Sequence, residues 1–240
     1  MKGALTIAAR ETKAYFNSPV AYIFILAFLL SAGVLFFFVE GFFAAGRASM
    51  RPYFGLMPII LSILVPALTM RLWAEEKRQG TSELLLTMPF RDADLVLGKF
   101  LASMAVVGLA VVLSVPVALM VSRFGSFDPG PIFTEYLGVL LLACASTALG
   151  QMVSSASRNQ MSAFMATAFI LVAINLSSMM TTWVELPPLA ARVVNWISLS
   201  YHFISFSRGI LDTRDLVYFM LFTALFLYMT ARNLAAGRWR

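Results

Sequence analysis

Charged residues, cysteine and histidine are scarce in this chain. Only 12% of its 240 residues are charged, whereas 60% are hydrophobic and the mean hydropathy is +0.83. Soluble globular domains are about 25% charged and about 45–50% apolar. A soluble fold could not hide this much apolar surface, which indicates that lipid is the solvent. The single cysteine, Cys144, lies inside an apolar run and provides neither a disulfide framework nor a cysteine-based metal site.

Groups that could carry catalysis or ion coupling are also lacking. No Asp, Glu, Lys or Arg lies near the middle of a long apolar segment, which disfavours ion-coupled carriers and proton pumps. Gly98 and Lys99 lack the other glycine of a phosphate-binding loop, and neither HExxH nor GxSxG occurs. The only histidine, His202, is interpreted as an aromatic-belt residue. We therefore predict a non-catalytic membrane protein that binds no cofactor or metal itself.

Six apolar segments are long enough, or nearly so, to cross a membrane, which takes about 20 mostly apolar residues in a helix. They are residues 19–39, 54–74, 95–122, 132–154, 160–182 and 216–235. No internal repeat or low-complexity linker separates them, so we predict one domain over residues 1–240. The predicted fold class is an all-α polytopic membrane protein.

Basic residues predict the orientation of these spans. With the N-terminus in the cytoplasm, the cytoplasmic stretches hold twelve basic residues: Lys2, Arg10, Lys13, Arg71, Lys77, Arg78, Arg91, Lys99, Arg158, Arg232, Arg238 and Arg240. The opposite side holds six: Arg47, Arg51, Arg123, Arg192, Arg208 and Arg214. The acidic residues divide evenly between the two sides. The asymmetry predicts six spans with both termini in the cytoplasm.

Two segments outside the spans are amphipathic. Residues 4–19, ALTIAARETKAYFNSP, suit a helix lying along the cytoplasmic interface, and the alternative is a basic tail that only sets orientation. Residues 183–215 begin with two prolines after WVEL and then show apolar residues at helical spacing. We predict two short helices there at the outer face, either interfacial or re-entrant.

A polar tract interrupts the apolar pattern at residues 75–90, EEKRQGTSELLLTMPF. Lys77 and Arg78 suit the C-terminus of a helix that Gly80 ends, and Arg78 can pair with Glu75 at i+3. Glu76 has no such partner within its helix. A short helix follows, capped by Thr81 or Ser82 and stopped by Pro89, and Asp92 or Asp94 caps the third span.

The short helix of about seven residues cannot be stable alone, and its apolar side chains must be buried. One interpretation is a stop-transfer loop with a turn that lies against the membrane interface. The other is a docking element that transmits movement from a cytoplasmic partner into two spans.

Residues 70–102, MRLWAEEKRQGTSELLLTMPFRDADLVLGKFLA, resemble the EE-x-x-x-G-T-x-E-x-L-x-x-x-P…GK segment of ABC-2-type permeases. The resemblance is strongest to the group of gliding-motility and nitrous-oxide-reductase-maturation permeases. Residues 198–219, SLSYHFISFSRGILDTRDLVYF, are also similar to that group. The resemblance implies the permease subunit of an ATP-binding-cassette transporter, with an exporter favoured, in the bacterial inner membrane. An alternative is a scaffold or assembly subunit of such a complex that moves no small solute.

The resemblance also implies partners and site residues. A separate ATPase in two copies would bind ATP and Mg, and a second permease copy and membrane lipid would complete the assembly, without nucleic acid. The implied docking residues are Glu75, Glu76, Arg78, Gly80, Thr81, Glu83, Leu84, Leu85, Met88, Pro89 and Arg158. The implied outer gate consists of Tyr201, His202, Phe203, Phe206, Arg208 and Gly209.

Overall fold

The structure of the protein is a computed structural model that describes residues 2–45, 49–80, 91–124, 129–183 and 187–237. The helices of its first half are α1 (Lys2–Asn17), α2 (Pro19–Val34, extended by a π-helical turn at Leu35–Val39), α3 (Phe42–Ala45), α4 (Arg51–Gly55), α5 (Met57–Thr69) and α6 (Arg71–Gln79). Those of its second half are α7 (Asp92–Val121), α8 (Pro129–Ala156), α9 (Gln160–Trp183), α10 (Pro188–Ile197), α11 (Leu199–Ser207) and α12 (Thr213–Gly237).

Six helical stretches within the described ranges are long and apolar enough to cross a membrane. They are Pro19–Val39, Met57–Gln79, Asp92–Val121, Gly130–Ala156, Gln160–Met179 and Thr213–Ala236. Each coincides with one of the predicted segments, so the predicted all-α polytopic fold is confirmed. The second stretch extends beyond its apolar run to Gln79, as predicted, but a turn at Met70 divides it into α5 and α6.

Helix α8 forms the centre of the bundle and contacts α5, α6, α7, α9, α11 and α12. Its small residues make this possible, since Ala143, Ala145 and Ala148 are fully buried. A Cβ atom built at Gly150 would lie 2.3 Å from Thr69 Oγ1, so the side chain of α5 occupies the space that a larger residue would need.

Helix α1 is present as predicted and packs along α7. Its buried face includes Ala4, Ile7 and Tyr15. A Cβ atom at Gly98 of α7 would lie 2.6 Å from Ile7 Cγ2, so this glycine sets the close approach of the two helices. The position of α1 at the membrane interface stays a prediction.

The two short helices predicted after the fifth span are confirmed as α10 and α11. The apolar face of α10 is exposed, with Leu189 at 77% and Trp196 at 68%. Helices α3 and α4 were not predicted, because segments of four and five residues are too short to show a helical period. The predicted cap of the third span is wrong. Arg91 is the N-cap residue of α7, and Asp92 and Asp94 lie in its first turn instead.

Candidate functional site

The tract predicted to face the cytoplasm begins on α6. Gly80 ends this helix in the left-handed conformation, with φ of 71°, as the sequence predicted. The predicted Glu75–Arg78 pair is present at 2.8 Å, and Gln79 Nε2 donates to the same Glu75 oxygen at 2.5 Å. Glu75 therefore has its partners within α6.

Glu76 has its partner on another helix. The Lys99 ammonium of α7 donates to Glu76 Oε1 at 2.6 Å and lies 3.6 Å from Glu11 Oε2 of α1. It also lies 5.0 Å from the centroid of the Trp73 ring, within cation–π range. Lys99 is only 2% exposed. One buried cation thus connects α1, α6 and α7, and we call Glu11, Glu76 and Lys99 the ion cluster.

A hydrogen-bonded group lies beside the ion cluster and also holds α1. Tyr15 of α1 donates to the Leu68 carbonyl at 3.3 Å, and its hydroxyl lies 3.2 Å from Ser103 Oγ of α7. Burial raises the pKa of Tyr15 to about 12, so this hydroxyl stays protonated at physiological pH. Tyr15 therefore acts as a neutral hydrogen-bonding group between α1, α5 and α7.

The turn between α5 and α6 is supported by a side chain from α8. Ser154 Oγ accepts hydrogen bonds from the backbone N–H groups of Trp73 and Ala74 at 3.1 and 3.3 Å. The same hydroxyl donates to the Met70 carbonyl at 3.0 Å. Ser154 thus satisfies backbone groups that the interruption at Met70 would leave without a partner inside the bundle.

The C-terminal end of α8 is hydrogen-bonded to α6, α7 and α12 at this end of the bundle. Lys77 donates to the Ser155 carbonyl, and Asn233 of α12 donates to Ser155 Oγ at 3.2 Å. Gln151 donates to the Val96 carbonyl of α7 at 3.0 Å. The ends of α6, α8 and α12, the start of α7 and part of α1 are therefore at one end of the bundle, which we call the basic end.

The predicted docking residues divide into two groups. Glu75, Glu76, Arg78 and Gly80 lie at the end of α6, and Arg158 is exposed in the turn between α8 and α9. The remaining members lie outside the described residues: Thr81, Glu83, Leu84, Leu85, Met88 and Pro89. Glu76 is directed into the ion cluster and is 16% exposed, so its described contact is internal.

Sequence reasoning did not find the Glu76–Lys99 pair. A signal was present, because a lysine inside the first turns of an apolar span needs a counter-charge. Glu76 was the nearby carboxylate for which helical spacing in the sequence indicates no partner. The 23-residue separation, however, gives no periodicity that would connect the two positions.

The opposite end of the bundle carries α10 and α11, and we call it the hairpin end. His202 of α11 is buried, so its interpretation as an aromatic-belt residue is wrong. Its Nδ1 lies 2.6 Å from Asp215 Oδ1 and its Nε2 lies 3.2 Å from the Trp196 carbonyl oxygen. Its ring stacks on Tyr218, with centroids 3.8 Å apart. The backbone carbonyl can only accept, so a hydrogen bond at this position requires a hydrogen on Nε2.

The other predicted gate residues occupy the same short helix and its end. Phe203 and Phe206 are buried, and a Cβ atom at Gly138 of α8 would lie 2.8 Å from Phe206 Cβ. Thr134 donates to the Phe206 carbonyl at 3.0 Å. Tyr201 and Arg208 are exposed, and Gly209 adopts a φ of 76° at the turn that follows. The helix is therefore anchored to α8 by one face and leaves the other open.

A recess of about 660 Å³ lies between α5, α9 and α11, beside the open face. Asn175 of α9 donates to Ser62 Oγ at 2.7 Å, and its Oδ1 accepts from Ser200 at 2.9 Å. The lining side chains carry no charge. The recess can therefore accept hydrogen-bonding and apolar groups but offers no counter-ion.

The chain is similar to a known protein family. The family described as ABC-2 family transporter protein matches residues 46–232, which is well over half of the chain. A search of curated proteins gives no significant match. Within the described ranges, no group of three or more His, Cys, Asp and Glu side chains could hold a metal ion.

Proposed function

Because the chain belongs to the ABC-2 transporter family, we propose that it is the permease subunit of an ATP-binding-cassette transporter. A separate ATPase supplies the energy, and this subunit converts closure of that partner into movement of substrate across the membrane. The family match over residues 46–232 is the single observation that carries this proposal. Six helices of spanning length and composition agree with it.

The proposed docking site is the basic end. Residues 81–90 follow α6 directly, and we propose that they dock on the ATPase together with Arg158. The ion cluster supports this role, because Lys99 links α6 to α1 and α7 where the docking residues join the bundle. A displacement of α6 would reach α1 and α7 through these contacts.

The proposed gate is the hairpin end. Helix α11 is held by Asp215 and Tyr218 of α12 through His202, and by Thr134 of α8. Helices α8 and α12 both span the membrane in this proposal, so a rearrangement of the spans would be transmitted to α11. Tyr201 lies on the open face of α11 and lines the uncharged recess.

We further propose an assembly of two permeases and two ATPases in the bacterial inner membrane, with both termini in the cytoplasm and export as the direction. The excess of Lys and Arg at the basic end supports this orientation. Membership of the gliding-motility and nitrous-oxide-reductase-maturation group rests on the resemblance of residues 70–102 and 198–219. The subunit itself is not an enzyme in this proposal, and its ATPase partner binds ATP and Mg.

The proposal is tested by reversing one charge in the docking segment. We expect Glu83→Lys to reduce co-purification with the cassette ATPase and to lower its ATP turnover, with Glu40→Lys at the opposite end of the bundle as a control for the charge change. Wild-type values for Glu83→Lys would contradict docking. ATP turnover by an intact complex, without solute movement in liposomes, would favour the scaffold alternative.

A further inference from the structure

A groove of about 480 Å³ runs between α2 and α5. Both helices belong to spanning stretches. Phe24 and Ala27 line it from α2, and Leu64 and Ala67 line it from α5. The alanines leave space between the two helices, and the wall along this length is apolar. The groove therefore has the shape and lining that suit a hydrocarbon chain.

Charged side chains close one end of this groove. Arg71, Glu75 and Arg78 line it there, at the start and along the length of α6. Glu75 is engaged by Arg78 at 2.8 Å. Arg71 is exposed and also acts electrostatically on the Glu75 carboxylate, but it has no salt-bridge contact with any residue in the described ranges. Two arginines and one glutamate give this rim a formal charge of +1.

The charged rim occurs only at the basic end of the groove, where α5 gives way to α6 at Met70. A membrane places hydrocarbon beside the apolar wall and phosphate groups beside the rim. Basic side chains at this level attract anionic headgroups. The +1 rim matches the single negative charge of a phosphodiester headgroup that lacks an amine.

We propose that this groove is a binding site for a glycerophospholipid with a monoanionic headgroup. The phosphate lies against Arg71, and one acyl chain follows the groove past Ala67 and Ala27. Dispersion contacts with the groove wall and the charge contact at the rim act together, because apolar burial alone gives little preference for one lipid over another inside a bilayer. Glu75 and Arg78 of the rim also belong to the predicted docking residues, whereas Arg71 and the apolar wall do not, so the tests below use Arg71 and Ala27.

The test uses the full-length protein, delipidated in detergent. Phosphatidylglycerol and phosphatidylcholine with identical acyl chains are titrated separately, and bound lipid is counted by native mass spectrometry. We expect phosphatidylglycerol to bind about fivefold more tightly, the preference that one basic residue near a membrane surface confers. Inorganic phosphate alone, followed by thermal shift, should give no stabilisation at the same concentrations.

Two variants locate the site. Arg71→Gln should abolish the preference for phosphatidylglycerol while leaving weak binding of both lipids. Ala27→Leu should weaken both lipids together, because it fills the groove. Arg232→Gln is the matched control, since Arg232 is an exposed arginine of the basic end that lines a different recess. It should retain the wild-type preference. Arg71→Lys keeps the charge and should retain most of the preference.

Several outcomes would overturn the proposal. Equal binding of the two lipids to the wild type, or an unchanged preference in Arg71→Gln, removes the role of Arg71. Stabilisation by inorganic phosphate equal to that by phosphatidylglycerol indicates a free-anion site instead. Efficient disulfide cross-linking of Ile23→Cys between two copies indicates that a second copy of the chain covers the groove. None of these results bears on co-purification with the ATPase, so the two proposals fail separately.

Discussion

The Lys99 ammonium group lies 2.6 Å from the Glu76 carboxylate, and this contact joins the last turns of α6 to the first turns of α7. Lys99 is 2% exposed and also faces Glu11 of α1. The segment predicted to dock on the ATPase starts five residues after Glu76, directly beyond Gly80. The pair therefore joins α6 to α7 close to the position in the sequence where that segment begins.

Removal of Lys99 should destabilise the protein more than the loss of an exposed ion pair does. In Lys99→Met the carboxylates of Glu76 and Glu11 lose their buried counter-charge, and we expect a loss of about 3 kcal/mol in the free energy of unfolding. Arg78→Gln breaks an exposed pair on the same helix and should cost about 0–1 kcal/mol. Denaturant titration in detergent measures both, and similar losses would contradict the buried role of Lys99. Part of the loss should return in the double variant Glu76→Gln, Lys99→Met.

Gly98 should be required for the attachment of α1. The Cβ of Gly98→Ala would lie 2.6 Å from Ile7 Cγ2, so we expect a cost of about 1–3 kcal/mol from overpacking and faster hydrogen exchange in α1. The control is Gly108→Ala on the same helix, where a Cβ atom would have no neighbour within 4 Å. Unchanged exchange in α1 of the Gly98 variant would show that the two helices separate without cost.

Ser154 should stabilise the α5–α6 turn. Ser154→Ala leaves the N–H groups of Trp73 and Ala74 and the Met70 carbonyl without their partner, and an unsatisfied buried group costs about 1–3 kcal/mol. We expect faster hydrogen exchange at residues 70–75 and a lower melting temperature. Ser162→Ala removes an exposed hydroxyl at the start of α9 and should change neither quantity. Equal effects of the two variants would exclude a specific role for Ser154.

Asp215 should hold α11 at the hairpin end. Asp215→Ala removes the group 2.6 Å from His202 Nδ1, and the loss of a buried hydrogen bond of this kind costs about 1–3 kcal/mol. Exchange in α11 should therefore accelerate while the spans stay protected. Asp212→Ala is the comparison, because it removes a carboxylate just before α12 that accepts from the Arg214 N–H and does not contact α11, and it should leave α11 unchanged. Protection of α11 equal to wild type in the Asp215 variant would show that other contacts suffice.

Some contacts of the candidate site were predictable because they are local. The Glu75–Arg78 pair follows from helical spacing, and the glycine at position 80 follows from the need for a left-handed residue after α6. The end of α6 was therefore predictable. The placement of Ser154 against Trp73 and Ala74 was not, because the pairing spans about 80 positions and depends on how α8 rotates against α6.

The same contrast applies to His202. Its position among aromatic residues suggested a membrane belt, since composition does not reveal which side of a short helix faces the bundle. Packing of α11 on α8 and α12 turned this side chain inward, where Asp215 and Tyr218 surround it.

The amino-acid sequence by itself determined that this protein lies in lipid and has six spanning helices, because the length and apolarity of a segment decide whether it can cross a bilayer. It also determined the two amphipathic helices before the last span and the turn after α6. Only the tertiary structure decided that Lys99 contacts Glu76 and Glu11, and that Arg71 lies at the charged rim of an apolar groove. Side-chain pairing between helices depends on how the helices are rotated and how closely they approach. Small residues such as Gly98 and Gly150 set this separation by steric contact, and the local periodicity of the sequence does not reveal it.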